Sequence, residues 1–478
     1  MMNTESGPPG NTLNSTAMLR AVLISAIIGD FISPFLIASL TISIPVIGSD
    51  LGLDIVNLGW VISSFLLASS VVMLTAGRLG DCTGYKRIFT AGLIFSLVGC
   101  ITASFASTFP VLILSLVIIG VSSGFMWATT IPLRLSAFPP GMRGRLMGHN
   151  SAAVYSGVAA GPVIGGILIS YLGWHSIFLA VIPLILLNLL LVGVYVWKLA
   201  DNCTKSLSGF DTGGSVLFAV AMITLIYGFS VIPGSMGFLC IGGSLVLFTV
   251  FILYEKRMAS PIFDVNLLFC NRKFLLAGNA TMLGYSITAG MMYVMPVFIQ
   301  SIMGYSPLVT GMVYVGAALC QVIFSIIAGR LSDRLTPGYI SAAGLAVAAF
   351  SLVMFLGIDT TTSLFIIAGL MMVLYTGIAF FGTPNTYALM GSVPVEKHGM
   401  AAGTIATLRR FGNQFSIAIP MMVFSIILGN VVLINVDIPD FLISFRIIIG
   451  IFVVLTVIGI VCSILQENVR WRGTLSTE

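Results

Sequence analysis

Asp30 is the first residue that could do chemistry, because it stands alone in a long apolar stretch, with Ile27, Ile28 and Gly29 before it and Phe31 and Ile32 after it. An ionisable side chain set among apolar residues is costly and marks a functional position by default. Burial there disfavours the charged carboxylate, which makes Asp30 a candidate proton carrier. Pairing with a nearby cation, or a hydrogen bond to a neighbouring helix, would hold it equally well. Arg409 and Arg410 form a second candidate charge site. One of them could face a cavity or pair with an acid such as Asp81. Alternatively, both extend along the helix and place their charge at the membrane interface. Trp127, Tyr155, Asn279, Tyr293, Asn385 and Gln414 are polar or amphipathic residues near the middle of apolar runs. They are candidates to line a cavity, and the alternative for each is a hydrogen bond between helices.

The elements that must position these side chains are membrane-spanning helices. Of the 478 residues, 58% are hydrophobic and 8% are charged, against about 25% charged in a soluble domain. So few charges cannot cover a water-exposed surface. The apolar runs are long and continuous, unlike the short alternating segments of a membrane β-barrel, so helices are expected. The runs predict fourteen spans over 19–48, 56–77, 88–107, 111–133, 146–171, 175–197, 211–231, 235–254, 273–301, 306–330, 338–357, 362–386, 400–428 and 441–465. Residues 1–18 form a short polar tail without the basic region of a cleaved signal peptide. Residues 466–478 form a second tail.

Charge placement supports the count. With the N-terminus inside and the spans alternating, all of the 21 Lys and Arg residues except Arg446 fall at inside ends, while Asp50, Asp54, Asp359, Asp437 and Asp440 fall outside. This is the positive-inside pattern, and it predicts an even number of spans with both termini cytoplasmic in a cell membrane.

The seven cysteines are scattered singly, and His149, His175 and His398 lie far apart. Neither disulfide nor metal site is expected. There is no nucleotide-binding loop, no HExxH and no GxSxG. An ATP-driven pump is therefore excluded, no cofactor is expected, and no enzyme active site is visible.

An internal repeat divides the chain. Gly77-Arg78-Leu79-Gly80-Asp81 ends span two, and Gly329-Arg330-Leu331-Ser332-Asp333 ends span ten. Two equivalent bundles that rock about a central site are a transporter signature. The divisions are 19–197 for an N-terminal six-helix bundle, 198–272 for two extra spans with their flanking loops, and 273–465 for a C-terminal six-helix bundle.

Two motifs carry a family resemblance. Gly77 through Arg87, reading GRLGDCTGYKR, resembles the loop motif between spans two and three of the major facilitator superfamily. Here Gly77 would allow close helix approach, Gly84 a tight turn, and Asp81 a helix cap or a pair with Arg87. Gly329 and Asp333 repeat the pattern. Gly157 through Gly166, reading GVAAGPVIGG, resembles the antiporter motif of the same family. Gly157, Gly161, Gly165 and Gly166 would form a smooth packing groove, and Pro162 a kink. Shorter matches lie at Leu172–Phe178, Phe210–Asp211, Pro261–Asp264, Gln300–Gly311, Gly399–Gly403 and Arg409–Gly412. The whole is similar to the fourteen-span drug/proton antiporter branch of multidrug efflux type. The resemblance implies a major-facilitator fold, export of amphipathic or lipophilic small molecules by alternating access, proton antiport and a monomeric state. No nucleic-acid partner is implied. Two positions depart from the branch. Leu36, nine residues before Pro45, and Gly120, four before Gly124, stand where an acid and an arginine are common.

The alternatives are a metabolite exporter or uncoupled facilitator of the same fold, a lipid-modifying membrane enzyme, and a sensor on a transporter scaffold. The enzyme would need clustered catalytic residues, and the sensor an appended domain. The charge inventory shows no such cluster, and no appended regulatory domain is expected.

Overall fold

The computed structural model describes residues 10–138, 142–198, 211–258, 271–393, 398–429 and 431–468. The expectations placed on Lys205, Phe210, Pro261–Asp264, Lys397, Arg470 and Arg472 lie outside the described residues.

The described residues form fifteen main helices: α1 (Gly10–Leu51), α2 (Ile55–Thr83), α3 (Tyr85–Ser104), α4 (Phe109–Ala137), α5 (Arg143–Leu172), α6 (His175–Val194), α7 (Thr212–Val231), α8 (Ser235–Glu255), α9 (Arg272–Tyr285), α10 (Thr288–Val297), α11 (Pro307–Ser332), α12 (Pro337–Phe355), α13 (Leu364–Met390), α14 (His398–Ile427) and α15 (Ile438–Asn468). Among the described residues, thirteen segments are long and apolar enough to cross a membrane. Helix α14 makes the fourteenth span. It has 30 residues, ample for a bilayer at about 1.5 Å per residue, but Arg409, Arg410, Asn413 and Gln414 lower its apolar character. The lipid-facing surface is greasy: Phe105, Phe365, Leu239 and Val246 are all exposed, as a soluble protein's surface would not tolerate.

The helices pack as two bundles and a pair. In the first bundle α1 lies on α4, α5 and α6, α2 on α4, and α3 on α4 and α6. In the second, α11 and α12 lie on α13, and α9, α12 and α14 lie on α15. Helices α7 and α8 pack on each other, and α7 leans on α2 and α14.

Two boundaries differ from expectation. Helix α1 starts at Gly10, ahead of its membrane-crossing segment, which begins at Ala17. The ninth span is two helices. The chain breaks after α9, resumes as α10, and ends in a π-helical turn at Phe298–Ile302. Polar side chains set several starts. Asp54 accepts from the Asn57 amide at 2.7 Å, Asp211 from Gly214 at 2.8 Å, and Asn271 from Phe274 at 3.1 Å, each satisfying an orphan donor.

The two ends of the molecule differ. At the end bearing Asp50, Asp54 and Asp437, here the acidic end, the bundles are fastened together. The Leu433 amide donates to the Leu53 carbonyl at 3.2 Å, and the Ile55 amide to Val431 at 3.3 Å. Gln300 donates to the Ile42 carbonyl at 2.9 Å, and Tyr293 donates to the Ile55 carbonyl. Aromatic rings fill the space behind, with Phe298 5.2 Å from Phe445 and Tyr293 5.9 Å from Phe424, centroid to centroid. At the opposite, basic end, a Cβ added to Gly77, Gly148 or Gly403 would meet no atom within 4 Å.

Candidate functional site

Between the bundles, at mid-depth, lies a cavity of about 210 Å³. Helices α1, α2 and α5 supply one wall, including Ala38, Leu66 and Pro162; α10, α11, α13 and α14 supply the other, including Thr288, Gln321, Tyr375, Arg410 and Asn413. Pro162 has no amide hydrogen and leaves the Val158 carbonyl without its helical donor. Both residues line the cavity.

Glycines of the antiporter-type motif bring these walls together. A Cβ on Gly161 would come within 2.6 Å of the Ala38 Cβ, and one on Gly165 within 2.8 Å of Ser39. One on Gly157 would lie 2.6 Å from the Phe31 carbonyl. Ser39 donates to the Gly161 carbonyl at 2.9 Å. These contacts seat α5 on α1. Gly166 abuts Pro307 and Leu308, and Gly311 sits on the Pro162 carbonyl. These last two contacts join α5 to α11, across the bundles and beside the cavity.

Arg410 lines the cavity and stacks over the Trp127 ring at 5.5 Å. Arg409 stacks over Tyr285 at 4.7 Å and donates to Thr386 at 3.2 Å. Both guanidiniums therefore point into the protein and engage aromatic faces, in the manner of cation–π contacts. Gln414, almost fully buried, accepts from Ser63 at 3.2 Å and links α14 to α2.

Asp30 forms an ion pair with Arg134. Arg134 is wholly buried in α4, and it also donates to the carbonyls of Thr130 at 3.2 Å and Leu146 at 3.4 Å and to the Asn150 amide oxygen at 3.1 Å. Counting Arg134 among the loop charges is thus corrected: it is an interior residue.

Other candidates fall elsewhere. Tyr293 and Asn385 do not line the cavity. Tyr293 belongs to the acidic-end closure, and Asn385 donates to the Ala277 carbonyl at 3.2 Å and to Thr281 at 2.7 Å, tying α13 to α9. Asn279 is exposed on α9, and Tyr155 is half-buried on α5, outside the cavity lining. At the α2–α3 turn, Gly84 takes φ +102°, a conformation that favours glycine, and Tyr85 donates to Asp81. Gly77 has open space about it, so it does not serve close packing. In the repeat, Asp333 follows the end of α11 and is exposed, as is Arg87 in the first turn of α3, and a Cβ added to Gly329 would meet Thr383 at an ordinary 3.6 Å.

Sequence reasoning missed Thr288, Tyr375, Gln321 and Asn413. Asn413 carried a signal, since it adjoins Gln414 and follows the arginine pair one turn later. The tyrosine and threonine had none, because such residues are common in any span.

Two helical bundles flanking a central cavity, sealed at one end, define a polytopic membrane transporter. The Major Facilitator Superfamily profile matches residues 26–417, and the chain belongs to that superfamily. Its relatives are transporters and not enzymes. A riboflavin transporter, RibZ, of Clostridioides difficile (strain 630) is 28% identical over 81% of this chain and 84% of its own. The multidrug resistance protein Stp of Mycobacterium tuberculosis is 29% identical over 76% of this chain and 68% of its own. The tetracenomycin C resistance and export protein of Streptomyces glaucescens is 25% identical over 81% and 72%. These names fit the drug-efflux branch expected from the motifs. Among solved structures, a peptide transporter POT mutant bound to alafosfalin superposes with a TM-score of 0.71 at 13% identity, covering 98% of this chain and 96% of that one. A bacterial homologue of the lysosomal transporter Spinster superposes with a TM-score of 0.66 at 13% identity, covering 97% and 98%.

Proposed function

We propose that this protein is a secondary transporter that exports amphipathic or lipophilic small molecules by alternating access, with proton antiport as its energy source. The observation that carries the reading is the cavity at the bundle interface, closed at the acidic end by Tyr293, Gln300 and the Leu53–Leu433 contact. Placing the basic end in the cytoplasm, as the positive-inside rule requires, makes this closed end the outer one. The termini then lie inside, and the arrangement is the state that receives cytoplasmic substrate. In this scheme the moving units are 19–197 and 273–465, with 198–272 between them. The motif loops at Asp81 and Asp333 act as conformational latches in this scheme, and Gly157–Gly166 as the seam about which the bundles rock.

Coupling runs through Asp30 in this reading. A proton on Asp30 neutralises the carboxylate and releases Arg134, which still has three neutral acceptors. Proteoliposomes with an imposed pH gradient test it. Substrate movement should be accompanied by internal pH change, and Asp30→Asn should uncouple the two. Full substrate flux with no proton flux in the unmodified protein refutes coupling. An exporter of a metabolite, or an uncoupled facilitator, is the second reading, favoured by the riboflavin transporter among the relatives and by Leu36 and Gly120.

A further inference from the structure

We infer that the central cavity recognises an amphipathic organic anion: a carboxylate or sulfonate carried on an aromatic or aliphatic body. The inference rests on the reading of this cavity as the substrate site and narrows the chemical class it accepts. Its basis is the charge inventory. Arg410 is the ionised side chain of the lining, and no carboxylate lines the cavity. Arg409, the next residue, adds a second positive charge, and its buried Nε has no acceptor. Among the described residues no carboxylate pairs with either arginine. Asp30 is the acid set within the apolar part of α1, and it already faces Arg134. Leu36 and Gly120 supply no charge.

A guanidinium in a low-dielectric interior calls for an anion, and one resting on a ring face has only part of that need met. Around it are polar atoms that lack a partner. The Tyr375 side chain is 5% exposed, and its hydroxyl has none; the Thr288 hydroxyl and the Asn413 carbonyl oxygen have none either. Two hydroxyl donors and a guanidinium match an oxyanion, which accepts and cannot donate. Apart from Gln321 and Tyr314, the remaining wall is aliphatic or thioether, with Ile62, Leu66 and Met292 among its members, and suits the apolar body of the ligand. A lipophilic cation would meet like charge here and no carboxylate to offset its desolvation.

Three probes of one shape separate the possibilities: 2-naphthoate, 2-naphthamide and 2-naphthyl-trimethylammonium. Binding to the purified full chain is measured by equilibrium dialysis against detergent-only controls, and the same probes are followed in proteoliposomes. The expected result is naphthoate binding at least about tenfold tighter than the trimethylammonium compound. Arg410→Gln should weaken naphthoate by about ten- to hundredfold, the loss of a charged hydrogen bond, and leave naphthamide unchanged. Arg410→Lys should retain part of the preference, and Arg410→Glu should transfer it to the cation. The Lys variant and the unchanged naphthamide affinity guard against misfolding. Equal binding of anion and cation, tighter binding of the cation, or no binding of naphthoate overturns the inference. Transport of the cation with no anion preference would overturn it while leaving the transport reading intact. Anion-selective binding without movement of any probe would support it and count against transport.

Discussion

The Asp30–Arg134 pair offers a stability test with an unequal outcome on its two sides. Arg134→Gln removes the cation that faces Asp30, a residue only 5% exposed. Deleting one member of a buried ion pair costs about 3–5 kcal/mol, because the survivor keeps its desolvation penalty. Asp30→Asn does less harm. Arg134 keeps the Thr130 and Leu146 carbonyls and the Asn150 oxygen, so the loss is that of one charged hydrogen bond, about 1.5–3 kcal/mol. In the double variant both charges are gone, and its stability should lie close to that of Asp30→Asn. The cycle therefore yields a coupling as large as the Arg134→Gln loss itself, about 3–5 kcal/mol, well above the few tenths expected of independent sites. Equilibrium unfolding in mixed micelles of a mild detergent and dodecyl sulfate, followed by far-ultraviolet circular dichroism, measures all four proteins. Equal losses for the two single variants, or additive losses in the double, would refute an interior pair with three supporting acceptors.

Further outcomes follow from the same geometry. Gly311→Ala sets a Cβ against the Pro162 carbonyl, and overpacking of about 1–3 kcal/mol should loosen the α5–α11 seam. In a cysteine-free background, labelling of Ala38→Cys from the acidic side should rise by about five- to 150-fold, and unchanged labelling would show the seam is not a closure. Asn385→Leu should cost about 1 kcal/mol in unfolding and leave substrate preference alone, because Asn385 ties α13 to α9; a change in preference would return it to the cavity. Thr360→Cys and Asp333→Cys, both at exposed positions, should react with an impermeant thiol reagent from opposite faces of the membrane, and labelling from the same face would overturn the topology.

Much of the architecture was legible because lipid leaves a chain few options. Continuous apolar runs must be helical, and the placement of Lys and Arg separated one end from the other. The same rule misplaced Arg134. It reads every basic residue near a span end as a loop charge, and it cannot see that α4 continues to Ala137 and turns that side chain toward Asp30. The small-residue motif of α5 was informative because glycine spacing directly encodes how close two backbones come. Gly77 shows the limit of that logic, since a glycine can serve elsewhere in the family and touch nothing here. The cavity itself was only partly legible. Arg410 announced itself as a charged residue in an apolar run and lines the cavity, whereas Gln414, Tyr293 and Asn385 carried the same kind of signal and turned out to fasten helices. Which neighbour a mid-span polar group meets depends on bundle packing, and periodicity along one helix does not contain it.

The break in the ninth span has a mechanical consequence. Its first piece, α9, on the side of the basic end, is anchored within the C-terminal bundle through Asn385 and, at its start, through Lys273 and Glu467 at 3.4 Å. Its second piece, α10 with the following π turn, at the acidic end, holds the N-terminal bundle through Tyr293 and Gln300. One stretch of chain is thus bolted to both halves, and the joint at Ser286–Ile287 lies between the bolts, beside Thr288 of the cavity wall. In the proposed alternating-access scheme, this joint is where the backbone bends as the halves change tilt.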